Sequence, residues 1–109
     1  IKNSLVDIDT STIRSNTVGV ADSTFYNAQS LNKVVLPQSC RYIGKAAFYG
    51  SPNLWQIRTL DNSIKLIDEY AFSNCGITSV TFGIGLETIG NYAFTDNINF
   101  DNKTGEIKK

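Results

Sequence analysis

The chain has no histidine and no methionine in its 109 residues. Without histidine, Ser-His-Asp and Cys-His catalysis are excluded within this chain, as is any His metal site. From the missing methionine, a mature or trimmed piece of a longer product is expected. Cysteine occurs twice, so the fold does not rely on disulfide staples. Neither sign of charge is in excess: ten Lys+Arg face ten Asp+Glu. A nucleic-acid binder draws most of its affinity from neutralised phosphates and usually carries a basic excess, so nucleic acid is not an expected partner. No apolar run approaches the roughly 20 residues that span a bilayer. No signal-peptide pattern is present. Apolar residues make up 41% of the chain and charged residues 18%, an ordinary globular composition with room for one domain and one modest core.

What the chain has is repetition. "IGKAAF" (43–48), "IDEYAF" (67–72) and "IGNYAF" (89–94) are near copies. Phe25, Phe48, Phe72 and Phe94 are separated by 23, 24 and 22 residues. Five residues before each stands Val20, Ile43, Ile67 or Ile89, and Ala47, Ala71 and Ala93 precede three of them directly. After each Phe comes a further apolar residue: Leu31, Leu54, Ile77, Phe100. Strand-like segments follow as Leu31-x-x-Val34-x-Leu36, Leu54-x-x-Ile57-x-Thr59 and Ile77-x-x-Val80-x-Phe82, with a weaker copy, Ile8-x-x-Ser11-x-Ile13. A one-dimensional stack explains this pattern, because a unit that cannot bury its apolar side alone is covered by its neighbours.

The two-residue alternation places short parallel strands near 33–36, 56–59 and 79–82. The Ala pair in 45–49 predicts one or two helical turns there. Gly44 and Gly90 suit a tight corner, and Asp68 fills that slot as a helix cap. Residues 36–43 and 82–89 form a second extended side with Cys40, Ile64 and Leu86 inward. The Phe residues are expected to form a continuous buried ladder.

The run "LNKVVLPQSCRYIGKAAFYGSPNL" (31–54) resembles the BspA-like, Treponema-type class of leucine-rich repeats. Cys75 occupies that class's Cys slot three after the Phe, and Ala28, Ser51 and Asn97 replace it elsewhere. The likeness covers about residues 8–100. It implies an α/β solenoid: a right-handed leucine-rich-repeat coil of about four 22–24-residue units. Parallel strands would line the concave face, with short helical turns opposite. The chain would be one domain, 1–109. It would comprise a ragged first unit (1–30), full units at about 31–53, 54–76 and 77–99, and a polar tail (100–109). The resemblance also implies a bacterial or protozoal surface or secreted protein that binds host proteins or other cells.

Several motifs have plainer readings than the chemistry they mimic. Both cysteines sit in slots that predict burial on different sides of the coil, so no Cys40–Cys75 bond is expected. "DIDTS" (7–11) evokes a phosphatase nucleophile or calcium loop, but Thr12 and Val18 stand where a calcium loop needs Gly and Glu. "GIGLETIG" (83–90) lacks the third glycine of a phosphate loop, because Thr88 holds that place. "NKT" (102–104) is a formal glycosylation acceptor. No cofactor or metal set emerges.

The strand face is the candidate site. Its outward rows read Thr10, Lys33, Gln56, Ser79, then Thr12, Val35, Arg58, Thr81. A third row begins at Arg14 and takes in Pro37 and Gly83. Lys33, Arg58 and Arg14 carry no carboxylate among them, while Asp22, Asp68, Glu69, Glu87 and Asp96 fall mostly on other sides. Trp55, whose siblings are Asn32 and Thr78, is either a binding anchor or packing over the adjacent repeat on Tyr49 or Leu31. The expected contacts for a protein partner are Arg14, Lys33, Val35, Trp55, Gln56, Arg58, Ser79 and Thr81. The expected function is a non-catalytic protein-binding module. The alternatives are a spacer or self-assembly segment stacking end to end, or an accessory domain of a larger secreted protein. A monomer or an end-to-end stack follows from these readings, with no membrane insertion.

Overall fold

The computed structural model describes residues 7–8, 16–59, 63–81, 83 and 85–97, with the backbone alone at 7, 8, 79 and 81. Eight short strands run in chain order: β1 (Asp7–Ile8), β2 (Gly19–Val20), β3 (Lys33–Leu36), β4 (Tyr42–Ile43), β5 (Gln56–Thr59), β6 (Leu66–Ile67), β7 (Ser79–Thr81) and β8 (Thr88–Ile89). They alternate between two parallel sheets, ordered β1-β3-β5-β7 and β2-β4-β6-β8. A parallel pair needs a crossover of a dozen residues or more. Here each crossover carries a strand of the other sheet and a strip of turns.

The strands predicted at 33–36 and 56–59 form there, and the third runs Ser79–Thr81, where Val80, expected inward, is exposed. In β3, Val34 and Leu36 are buried, Lys33 is exposed and Val35 half-buried; in β5, Ile57 and Thr59 are buried, Arg58 is exposed and Gln56 half-buried. Register runs Lys33–Gln56–Ser79 and Val35–Arg58–Thr81. On the second side Cys40 and Ile64 are buried and Leu86 packs against the core.

One register differs from the sequence reading. Asp7 pairs with Lys33 and Ile8 with Val34, so Asp7, rather than Thr10, stands level with Lys33. The step from β1 to β3 is longer than the steps that follow, and matching at the common period shifts the first copy by three residues.

The helical turns are a second correction: the described residues contain no helix, and 45–50 is a run of turns. The N–H groups of Ala47 and Tyr49 close turns on the carbonyls of Gly44 and Ala46. Those of Ala46, Phe48 and Gly50 donate instead to Glu69, Ala71 and Ser73 of the next unit, each at 2.9 Å. The same three rungs join Ser23, Phe25 and Asn27 to Lys45, Ala47 and Tyr49, and join Tyr70, Phe72 and Asn74 to Asn91, Ala93 and Thr95. A helix closes its bonds within its own turns, whereas these groups find carbonyls in the neighbouring unit. Backbone conformation agrees. The residues two before each Phe (Ser23, Ala46, Tyr70, Tyr92) and two after it (Asn27, Gly50, Asn74, Asp96) have positive φ. Left-handed residues break a right-handed helix, and Asn, Gly and Asp are the types that adopt that region most readily.

The core lies between the two sheets and this turn strip. Phe48 and Phe72 are fully buried, and Phe25 and Phe94 are partly so at either end. Their rings stack at 5.3, 5.1 and 5.3 Å, so the expected ladder is continuous. In the last three units the slot three after the Phe explains its own variety. Ser51 Oγ donates to the Phe25 carbonyl (3.2 Å), Cys75 Sγ to that of Phe48 (3.1 Å), and Asn97 Nδ2 to that of Phe72 (2.8 Å). Each caps a carbonyl of the preceding unit, a task that any short donor performs. Gly44 lacks a side chain because the Asp22 carboxylate and Val20 carbonyl lie where a Cβ would go. Asp22 Oδ1 there accepts the Lys45 N–H at 2.8 Å.

Candidate protein-interaction faces

Strands β3, β5 and β7, with the residue that leads into β5, contain seven of the eight expected contact residues. Lys33 and Arg58 are exposed, Val35 and Gln56 half-buried, and the register brings Ser79 beside Gln56 and Thr81 beside Arg58. Arg14, with Thr10 and Thr12, lies outside the described residues. Pro37, placed in an outward row by the sequence reading, is buried instead. With Asp7 level with Lys33, the row is also not free of acidic residues.

Trp55 stands at the entry to β5. Its N–H donates to the Asn32 carbonyl and its carbonyl accepts from Thr78 N–H, both at 2.9 Å, so the ladder of the first sheet extends one residue upstream. The backbone is therefore fixed, while the indole is 40% exposed. Lys33 Nζ lies 5.7 Å from the ring centroid, a cation–π distance. The ring thus lies beside Lys33 of the neighbouring repeat and keeps an open surface. No carboxylate pairs with Lys33 or Arg58 among the described residues; the ion pair there is Lys45 with Glu69 at 3.8 Å, both well exposed.

A second line of aromatics went unnoticed in the sequence. Tyr26 and Tyr49 stack at 5.1 Å, Tyr49 meets Tyr70 edge-on at 6.3 Å, and Tyr70 and Tyr92 stack at 5.2 Å. This tyrosine ladder runs outside the turn strip and crosses every unit of the Phe ladder. Tyrosine stands one after the Phe in two units and two before it in the others, so no single slot repeats. The signal available was the presence of one tyrosine near each Phe.

The cysteines are free and buried. Burial pushes the Cys75 thiol up to about 12, against hydrogen bonds from Ser51 and Gly50 that pull it down, and burial likewise raises Cys40. Both remain thiols at neutral pH, and a protonated Cys75 is what its bond to the Phe48 carbonyl requires. Gly83 of the glycine-rich stretch has φ of 79°, the conformation of a corner after a strand. Among the described residues no group of three or more Asp, Glu or Cys is arranged to hold a metal ion.

Residues 4–109 match the family model described as BspA type Leucine rich repeat region, in six copies. The Phe spacing distinguishes about four of these units. No curated protein and no solved structure matches the chain. The family match spans nearly the whole sequence, and its repeat is the one whose strands, turn strip and Phe ladder stack here: the chain belongs to the BspA-type leucine-rich-repeat family.

Proposed function

We propose that the protein is a non-catalytic protein-binding module that holds its partner on the outward face of β3, β5 and β7. That face is concave in the curved solenoid expected of the family. The observation that carries the reading is Trp55: a large aromatic on a pinned backbone, 40% exposed, with the Lys33 ammonium over it and, on the strand it leads into, Arg58, which no carboxylate of the described residues pairs. Trp and Arg are the residues that most often dominate binding energy, and a rigid aromatic anchor loses little entropy on docking. The repeat family supports an interaction role. Adhesion or host-protein recognition at a cell surface is the cellular setting we propose for it.

The test is a pull-down from cell-surface extracts that compares the wild type with Trp55→Ala and with Lys33→Glu/Arg58→Glu, all verified as folded monomers. A partner identified with the wild type and lost in both variants is the expected result. Truncating a central anchor should weaken binding by about 2 kcal/mol or more, roughly thirtyfold. Equal retention by all three proteins would remove the strand face as the site.

A further inference from the structure

We propose that the tyrosine ladder is a second docking surface, on a different side of each unit from the Trp55 face, and that it takes an arginine-bearing polypeptide segment. Tyr26, Tyr70 and Tyr92 are 42%, 42% and 58% exposed, and Tyr49 is half-buried between them. The stacked joints and the edge-on joint make one ridge rather than four separate rings. Tyr49 Oη accepts a bond from Asn74 Nδ2 at 3.0 Å, which steadies the middle of the ridge.

The turns do not require these rings. Tyr70 and Tyr92 have positive φ, a poor conformation for a bulky residue, and Ser23 and Ala46 fill the same slot in the other units. In the Tyr70 and Tyr92 units, Ser73 and Thr95 hold the position after the Phe, the tyrosine moves to the other slot and the line continues. The ridge persists although its slot changes, which is what an outward-facing surface would need and a turn would not.

Charge chooses the occupant. The turn strips carry Asp22, Glu69 and Asp96, with Asp68 just before one of them, against Lys45 alone; Lys45 lies 3.8 Å from Glu69, and Asp22 Oδ1 and Asp68 Oδ1 accept the N–H groups of Lys45 and Glu69. An aromatic ridge carried on turns of net negative charge complements a cation. Guanidinium is favoured over ammonium because it is planar, weakly hydrated and forked. It lies against a ring while donating to a phenol oxygen or a carboxylate. The opposite charge of the Lys33 and Arg58 face makes the two surfaces selective for different partners.

The experiment is fluorescence anisotropy of a labelled Arg-Gly repeat peptide and its Lys-Gly counterpart of equal charge, at physiological ionic strength. The arginine peptide should bind about tenfold tighter, the product of two ring contacts at exposed-site strength. Tyr70→Asn/Tyr92→Asn should reduce it to the level of the lysine peptide without lowering the melting temperature, since Asn accepts the left-handed conformation. If that variant melts early, Tyr26→Ser at the end of the ridge replaces it and should give a partial loss. Glu69→Gln/Asp96→Asn should weaken both peptides, and Trp55→Ala should weaken neither, which separates this surface from the strand face. Equal affinity for the two peptides, or undiminished binding by the tyrosine variants, overturns the proposal. So does preferential binding of a neutral proline-rich peptide or an oligosaccharide, or self-association that Arg58→Glu abolishes.

Discussion

Two aromatic ladders run side by side through this molecule with nearly the same spacing. The phenylalanine rings stack at 5.1–5.3 Å and the tyrosine pairs at 5.1 and 5.2 Å. Interplanar angles in the stacked pairs range from 7° to 20°. What separates the ladders is water. Phe48 and Phe72 have no exposed surface, while Tyr92 keeps more than half of its own. Ring stacking by itself contributes about 0.5–1.5 kcal/mol, and burial of a large side chain contributes more. The inner ladder should therefore hold the stack together, and the outer one should be nearly free to serve another purpose.

The sharpest test of that contrast is Phe48→Ala. It removes a buried ring from the middle of the stack and breaks contact with Phe25 and Phe72 together. A loss of about 3–5 kcal/mol is expected, read from denaturant unfolding at constant m-value. A cost near that of a surface tyrosine would mean that the inner ladder is loosely packed and that the comparison fails.

The slot beside the inner ladder offers a test that changes one atom, sulfur to oxygen. Cys75 is held as a thiol up to about 12 by burial, whereas a free thiol has 9.0 as its reference. The unfolded chain thus loses this proton before the folded one does. Stability is complete below pH 9 and falls as pH rises toward 12, with a slope of up to about 1.4 kcal/mol per pH unit from this group. The measurement is a difference, so that every other group cancels: unfolding free energy against pH for the wild type and Cys75→Ser. The variant should lack this part of the slope. Parallel curves would mean that water reaches the thiol and that the core beside Phe48 is not dry.

How much of this was legible depended on whether the deciding interaction lay within one unit. The strands at 33–36 and 56–59 were legible because their two-residue alternation is local and recurs at the common period. The Phe ladder was legible because Phe returns to one slot. The helical turns were misread because Ala47 has high helix propensity, while the bonds that decide the matter run from Ala46, Phe48 and Gly50 to another unit. The first strand was misplaced because its step to β3 departs from the period. For the candidate site, Lys33 and Arg58 followed from strand alternation, and Trp55 from being a large aromatic in a slot that holds Asn32 and Thr78 elsewhere; the Lys33–Trp55 contact crosses between units and is invisible in either alone. The tyrosine ladder was missed because its residues change slot. Asn27, Gly50, Asn74 and Asp96 did repeat, two after each Phe, and that run of left-handed-tolerant residues argued for turns over helix.

The smallest effect addresses the outer ladder directly. A double-mutant cycle on Tyr26 and Tyr49, each changed to Ala, isolates the energy of one stacked pair from the burial of either ring. Tyr49→Ala also releases Asn74 Nδ2, but that amide is exposed and water replaces the lost acceptor. The coupling should fall near the lower end of about 0.5–1.5 kcal/mol, because both rings keep contact with water when separated. Either single change should shift stability far less than Phe48→Ala does. A coupling well above that range would make the tyrosines a structural brace and remove the reason to look for a ligand on them. A small coupling leaves the rings at their places with little folding role, as a docking surface requires.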